Sequence, residues 1–366
     1  MSEPARILLL RLSAIGDVVL TSPLIRALRQ RFPNAQIDFV IKPAFAELVA
    51  HNPHLNTVHR VDPATGLKGL AQLGMHLRRA RYDLVLDLHR NFRTIFLTRL
   101  CAAPRVGHYH KHLLRRWLFV KFKAATMQQI PSVSQRYLQA AEFLNLQDDG
   151  VGTELFWGAA HEEEALCVLD EAGWKENRAL LCLAPGAGYF TKRWPVEYFA
   201  EVARALAAAF KNFAIAILGG KQDREFGKHI REHSRAEIFD LTGKCSLLAS
   251  AAIIKRSQLM LANDSGLMHI AEAVGTPVLA LFGSTTRELG FFPQRAASRV
   301  LEHPSLSCRP CSHLGYRACP RGHFRCMKEI APQLVLDEMK RTLDATTSTQ
   351  QIRLRDTMTV IQQESF

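Results

Sequence analysis

LANDSGLMHIAEAVGTPVLALFGST, Leu261 to Thr285, is the stretch that decides the fold. Just upstream, Gln258 to Ala262 is a short apolar run of core-strand length, and Asn263-Asp264-Ser265-Gly266 supplies the turn and cap residues that open a helix. Leu267, Ile270, Ala271 and Val274 recur at helical spacing, Gly275 suits the position after the last turn, and Thr276-Pro277 blocks continuation. Val278 to Phe282 is apolar throughout, the pattern of a parallel strand covered on both faces. A strand, helix and strand in this order bring both polar loops to the carboxyl edge of a sheet, where ligands bind in open α/β folds. The helix start at Ser265-Gly266 offers free N–H groups and a positive dipole end to a diphosphate. From this stretch alone, Asp264 reads equally well as a helix cap.

A chain of 366 residues is long for one domain, so two are expected, and 48% hydrophobic with 22% charged residues is globular composition. No run is long enough to span a bilayer. Glu3 and Pro4 stand where a secretory signal carries basic residues, and the first apolar run stops at Arg11, which places the protein in the cytoplasm. The formal charge of +13 is lopsided: residues 1–150 carry 21 Lys+Arg against 10 Asp+Glu, and residues 151–366 carry 26 against 24. The first half is therefore expected to meet a phosphorylated substrate, an anionic lipid surface or nucleic acid.

In chain order, Ile7 to Leu10 reads as a buried first strand running into Arg11-Leu-Ser-Ala-Ile-Gly-Asp17. A helix is expected from about Val18 to Gln30, with Pro23 tolerable only near its start. Strands at Ile37 to Ile41, Val58 to Val61 and Leu84 to Leu88 alternate with helical segments, which indicates a doubly wound parallel sheet. Arg105 to Lys123 is densely basic and interleaved with Tyr109, Trp117, Phe119 and Phe122. Such a segment either lies on an anionic membrane surface or is a basic helix that packs its aromatics into its own domain. Gly150-Val-Gly-Thr and His161-Glu-Glu-Glu mark the passage to a second half, which again opens with a buried strand and a glycine loop, Leu180 to Gly188. Gly186-Ala187-Gly188 lacks the third glycine of a dinucleotide fingerprint, and neither it nor Gly219-Gly220-Lys221 has P-loop spacing. A plain Rossmann oxidoreductase or NTPase is disfavoured.

Taken together, Arg11-Leu-Ser-Ala-Ile-Gly-Asp17-Val-Val, Pro185-Gly-Ala-Gly with Lys192-Arg-Trp-Pro, Leu218-Gly-Gly, and Asn263-Asp-Ser-Gly-Leu-Met-His269 with Phe282-Gly resemble the family 9 glycosyltransferases. These are the ADP-heptose:lipopolysaccharide heptosyltransferases, and the cysteine-rich tail is more similar to the heptosyltransferase II branch. The likeness runs from about Arg6 to Leu343 with the motifs in order. It implies a GT-B fold, two Rossmann-like doubly wound parallel-sheet domains facing a cleft. Residues 1–155 would bind the acceptor, residues 156–345 the nucleotide sugar, and residues 346–366 would form a polar tail. Gly283-Ser284-Thr285 departs from the Gly-Pro-Thr frequent in the family, and Ala187-Gly188 stand where some members carry hydroxyls.

Inverting transfer needs a base for the acceptor hydroxyl and positive charge for the departing diphosphate. Asp17, in a glycine loop at the end of the first strand, fits the base, although it reads also as a cap. The resemblance places Lys192 beside the ADP diphosphate, with Gly186, Ala187, Gly188, Thr191, Ser265 and Gly266 around the donor. It places Asp264 and His269 in the diphosphate and sugar segment; a lone helical histidine is otherwise more often structural. Asp223 is the candidate for the ribose hydroxyls, with Glu225 an equal rival. Ser13, Gly16, His89, Arg90 and Arg93 are the acceptor-side candidates, for a lipid A-Kdo type acceptor at the inner face of a membrane. The rival readings are another nucleotide-sugar donor, a basic nucleic-acid binder, which would need exposed stacking aromatics on a sheet, and a sugar-nucleotide sensor indifferent to Asp17.

Cys308, Cys311, Cys319 and Cys326 fall within nineteen residues, with His313 and His323 interleaved. Four such thiols in a cytoplasmic chain suggest a structural zinc site, against reduced thiols packing a loop or a disulfide. The catalytic chemistry requires no cofactor.

Overall fold

The computed structural model describes residues 3–126 and 130–345; the polar tail 346–366 lies outside the described residues. Five strands, β1 (Arg6–Leu10), β2 (Gln36–Ile41), β3 (Thr57–Arg60), β4 (Leu84–Asp87) and β5 (Arg105–His108), form one all-parallel sheet in the order β3-β2-β1-β4-β5. Six more, β6 (Ala179–Ala184), β7 (Phe213–Ile217), β8 (Ile238–Asp240), β9 (Ser257–Asn263), β10 (Val278–Phe282) and β11 (Arg299–Glu302), form a second in the order β11-β10-β9-β6-β7-β8. The unbroken apolar runs explain the parallel pairing: Ile7 to Leu10, Leu259 to Ala262 and Val278 to Phe282 are wholly buried between helices. This is the expected pair of doubly wound sheets.

Both sheets reverse direction beside their first strand, between β1 and β4 and between β6 and β9. Loops after those strands diverge and leave a crevice at the carboxyl edge. Arg11 to Asp17 and His89 therefore gather at one switch point, and Pro185 to Gly188 and Asn263 to Ser265 at the other. The helix Gly266–Val274 begins and ends as its residues dictate, with Ser265 at the cap and Gly275 left-handed at φ 84°.

Two local expectations are corrected. The single helix after β1 is two, Ile15–Val19 and Ser22–Arg31. Thr21 and Ser22 turn their hydroxyls back onto the carbonyls of Val18 and Val19, and Pro23 sits in the first turn of the second helix, where its missing N–H costs nothing. The basic segment starts not as a helix but as β5, with the helix Leu113–Phe122 following. A Cβ on Gly107 would lie 2.1 Å from the Ala140 carbonyl, so this short strand needs glycine for close approach.

The halves meet through the helices Ile15–Val19 and Gly266–Val274, and Val18 and Val19 share one apolar cluster with Met268 and Ile270. Arg26, buried, clamps the connecting chain with paired bonds to Asp149 at 2.6 Å and a further contact to Glu154 at 2.9 Å. No helix among the described residues is long and apolar enough to cross a membrane.

Candidate active site

On the first switch point, Asp17 stands one residue past Gly16 in the helix Ile15–Val19, with its side chain about a quarter exposed. Arg11 holds one carboxylate oxygen at 2.7 Å, and the Tyr137 hydroxyl donates to the other at 3.3 Å. Arg11 is itself fixed by a 2.7 Å bond to the Leu88 carbonyl and lies over the Tyr137 ring. Burial works against its charge, but Tyr137 and Asp17 outweigh burial and raise its pKa above the ordinary value. The base candidate is thus held in one orientation beside a permanent cation. His89 joins this group with an unpartnered Nδ1. Burial first, and then Arg11 and Lys111, push its pKa down to about 3, so the ring is neutral.

The second switch point faces it. Lys192 Nζ lies 2.7 Å from Asp264, and Thr285 donates to the same carboxylate at 2.6 Å. Asp264 is buried, which alone would raise its pKa, but Lys192 and Thr285 overcome that and lower it. Burial lowers the pKa of His269, leaving it neutral. A Cβ on Gly16 would meet the His269 ring at 2.3 Å, and one on Gly266 would meet Ile15 at 2.8 Å, so the two glycines let the halves close on each other. Beside this seam a cavity of about 510 Å³ is lined by Ala14, Ile15 and Gly16 from one half and Gly186 to Gly188, Gly219, Asp223 and Ser265 from the other. The Ser265 hydroxyl is buried with no partner, beside the start of the helix it caps. A buried, unpaired hydroxyl at a helix N-terminus suits an anionic ligand.

Asp223 forms the floor of this cavity, accepting from the Gly220 N–H at 2.9 Å under Gly186, whose Cβ would touch it at 2.4 Å. Burial raises its pKa. Its rival Glu225 is exposed on the next helix. Thr191 is buried, with its hydroxyl bonded to Ser284 at 3.0 Å and to the Tyr316 N–H at 2.8 Å.

The model of glycosyltransferase family 9 (heptosyltransferase) matches residues 70–317. The chain belongs to this family. It is 26% identical over 357 residues to the lipooligosaccharide heptosyltransferase 2 of Haemophilus ducreyi, covering 92% of this chain and 99% of that one. A family 9 glycosyltransferase structure from Veillonella parvula superposes with TM-score 0.79 at 24% identity, over 93% of this chain and 97% of the other. The Escherichia coli ADP-heptose lipopolysaccharide heptosyltransferase II does so with TM-score 0.71 at 22% identity, over 92% and 98%. Both likenesses show that the two sheets have the expected GT-B arrangement.

In this family 9 glycosyltransferase, the acceptor-side candidates separate. Gly16 and His89 join the Asp17 group, and Ser13 is half-buried in the same loop. Arg90 is exposed, and Arg93 stacks over the exposed Phe92 ring at 4.7 Å. Tyr137, Lys42 and Lys111 approach the same group without having been expected there. Lys111 lies in the basic segment; nothing near Tyr137 in sequence marks it, since it reaches Asp17 across 120 residues. Asn263 was also missed as a tie: it accepts from the Trp194 N–H and donates to the Pro185 carbonyl, joining both donor loops.

At the cysteine-rich loop a zinc site is not shown: among the described residues no three His, Cys, Asp or Glu side chains converge as a metal site, and all four thiols are free. Cys308 lies 3.9 Å from His323, and burial holds Cys326 up to about 12, a protonated thiol. The loop is a strap over the end of β10. The Cys311 N–H bonds to the Ser284 carbonyl, and Arg309 binds the carbonyls of Phe282, Gly283 and Thr285 together with the Glu302 carboxylate.

Proposed function

We propose that this glycosyltransferase moves a heptose from ADP-heptose, with inversion, to a lipopolysaccharide inner-core acceptor of the Kdo/heptose-lipid A type. Residues 1–155 would take the acceptor and residues 156–345 the donor. The observation that carries the reading is Asp17, oriented by Arg11 and Tyr137 at the seam where Gly16 meets His269, opposite Lys192. The names of the similar heptosyltransferases supply the sugar and the acceptor class.

Asp17 takes the proton of the acceptor hydroxyl as its oxygen forms a bond to the anomeric carbon. The bond from that carbon to the diphosphate oxygen breaks, and ADP leaves with the negative charge. Lys192, the Ser265 hydroxyl and the free N–H groups of the helix Gly266–Val274 stabilise that charge. Asp264 is ill placed to touch phosphate; it holds Lys192 before the donor arrives and can then bond sugar hydroxyls. Neutral His269 donates or accepts a hydrogen bond without adding charge. Asp223 and the glycines above it would receive the nucleoside. The basic first half suits an anionic acceptor presented at the inner face of a membrane.

The test is product formation from ADP-heptose and a Kdo-bearing lipid A, comparing intact protein with Asp17→Asn. Heptosylated lipid with matched ADP release, falling by about a hundredfold or more in the variant while donor affinity is kept, is the expected result. Full activity in the variant would remove Asp17 as the base, and failure of the intact protein to bind ADP-heptose would sink the donor.

A further inference from the structure

The helix Leu113–Phe122 is largely exposed. Phe119 is its one buried side chain, packed on Leu289 of the second half. Leu113, Leu114, Trp117 and Phe122 are 60%, 69%, 54% and 62% exposed, although an aromatic pair such as Trp117 and Phe122, 5.4 Å apart edge to face, is ordinarily core material. The basic segment has therefore divided: Tyr109 and Phe119 are buried in the protein, and Trp117 and Phe122 are offered to its surroundings. Across a groove of about 970 Å³ stands the cysteine-rich loop, which adds half-exposed Leu314 and Tyr316. An apolar patch of this kind, rimmed by polar residues, marks an interaction surface.

The charge around it has one sign. From Leu88 to Ala141 the sequence contains ten Lys+Arg and no Asp or Glu. Arg116, Lys121, Lys123 and Arg321 line the groove, and among the described residues no carboxylate does. Lys123 spends its Nζ on the carbonyls of Val120 and Pro310, which ties the helix to the loop across from it and makes the two one platform.

We propose that this platform docks on an anionic lipid bilayer, with Leu113, Leu114, Trp117, Phe122, Leu314 and Tyr316 entering the boundary between headgroups and acyl chains. Arg115, Lys121 and Arg321 meet lipid phosphates, and the long basic side chains bridge the two depths. Nucleic acid would satisfy the cations but leave the two adjacent leucines in water. The platform opens inward: Tyr189 lines its groove, and the adjacent Gly188 lines the cavity beside the seam. A bilayer-borne acceptor would thus reach the cleft without leaving the membrane. Only this last point rests on the acceptor reading; the surface stands on its own exposure and charge.

The test is sedimentation of the full chain with vesicles of phosphatidylethanolamine and phosphatidylglycerol, against vesicles of phosphatidylcholine. Retention on the anionic vesicles alone, weakened by salt, is expected. Trp117→Ser with Phe122→Ser should weaken it about tenfold or more while leaving transfer to a water-soluble deacylated acceptor unchanged. No retention of the intact protein, equal retention of the double variant, or displacement from vesicles by single-stranded nucleic acid that binds both proteins alike would overturn the proposal. Normal vesicle binding without any heptosyl transfer would reject the donor and acceptor reading and leave the surface in place.

Discussion

His89 shows how a single side chain records its surroundings. It sits beside Arg11 with an unpartnered Nδ1, and its pKa falls to about 3, chiefly through burial. The unfolded imidazole titrates near 6.5, so below that pH the unfolded chain binds a proton that the folded one refuses. Stability should therefore fall as pH drops from about 6.5 toward 3, and His269, with its pKa lowered by burial, adds in the same direction. At pH 5 the share of His89 is roughly 1 kcal/mol once its partial exposure is allowed for. His89→Gln should flatten the decline of the unfolding temperature between pH 7 and 5; an unchanged slope would mean the ring is protonated in the fold. Arg11 adds to burial in keeping the ring neutral, and that same cation keeps Asp17 in place.

At the scale of elements, the contact between the helices Ile15–Val19 and Gly266–Val274 depends on two glycines. Gly16→Ala would drive a methyl into the His269 ring, and overpacking of this kind costs about 1–3 kcal/mol. The expected outcome is a lower unfolding temperature with a larger loss of transfer than of ADP binding, because the substitution pushes apart the two switch points rather than filling the nucleoside end. Equal losses of both would place Gly16 in the donor site alone. The helix Gly266–Val274 was legible in sequence because a buried strand, a polar loop and an apolar period announce it, and the positions of Asp17 and Lys192 near the strand ends were legible because each follows a buried strand and a glycine-bearing turn. The break at Leu20-Thr21 was not, since the apolar period continues through it while two hydroxyls quietly take over the backbone bonds. Strand β5 was hidden by its charge, and Tyr137 by its distance along the chain. The part the cysteine-rich loop plays was not legible either: its spacing suggested a metal, which is not shown, while the bonds that tie the loop down come from its backbone and Arg309.

For the whole molecule the decisive quantity is where the charge lies. The excess of 21 Lys+Arg over 10 Asp+Glu belongs to residues 1–150, while residues 151–366 are nearly balanced at 26 against 24. With the acceptor and the donor on separate sheets, as proposed, the molecule can attract one substrate by its long-range field and hold the other by local contacts such as Lys192. Long-range attraction is screened within a Debye length, about 10 Å at 0.1 M salt, whereas a contact in a half-closed cavity is screened much less. Raising salt from about 0.05 to 0.5 M should therefore lower kcat/KM for an anionic soluble acceptor by about tenfold while weakening ADP binding by less than about threefold. If both fall together, the field of the first half reaches the donor cleft as well. If neither falls, the basic surface plays no part in capturing the acceptor in solution, and its cations act only where they touch a bilayer.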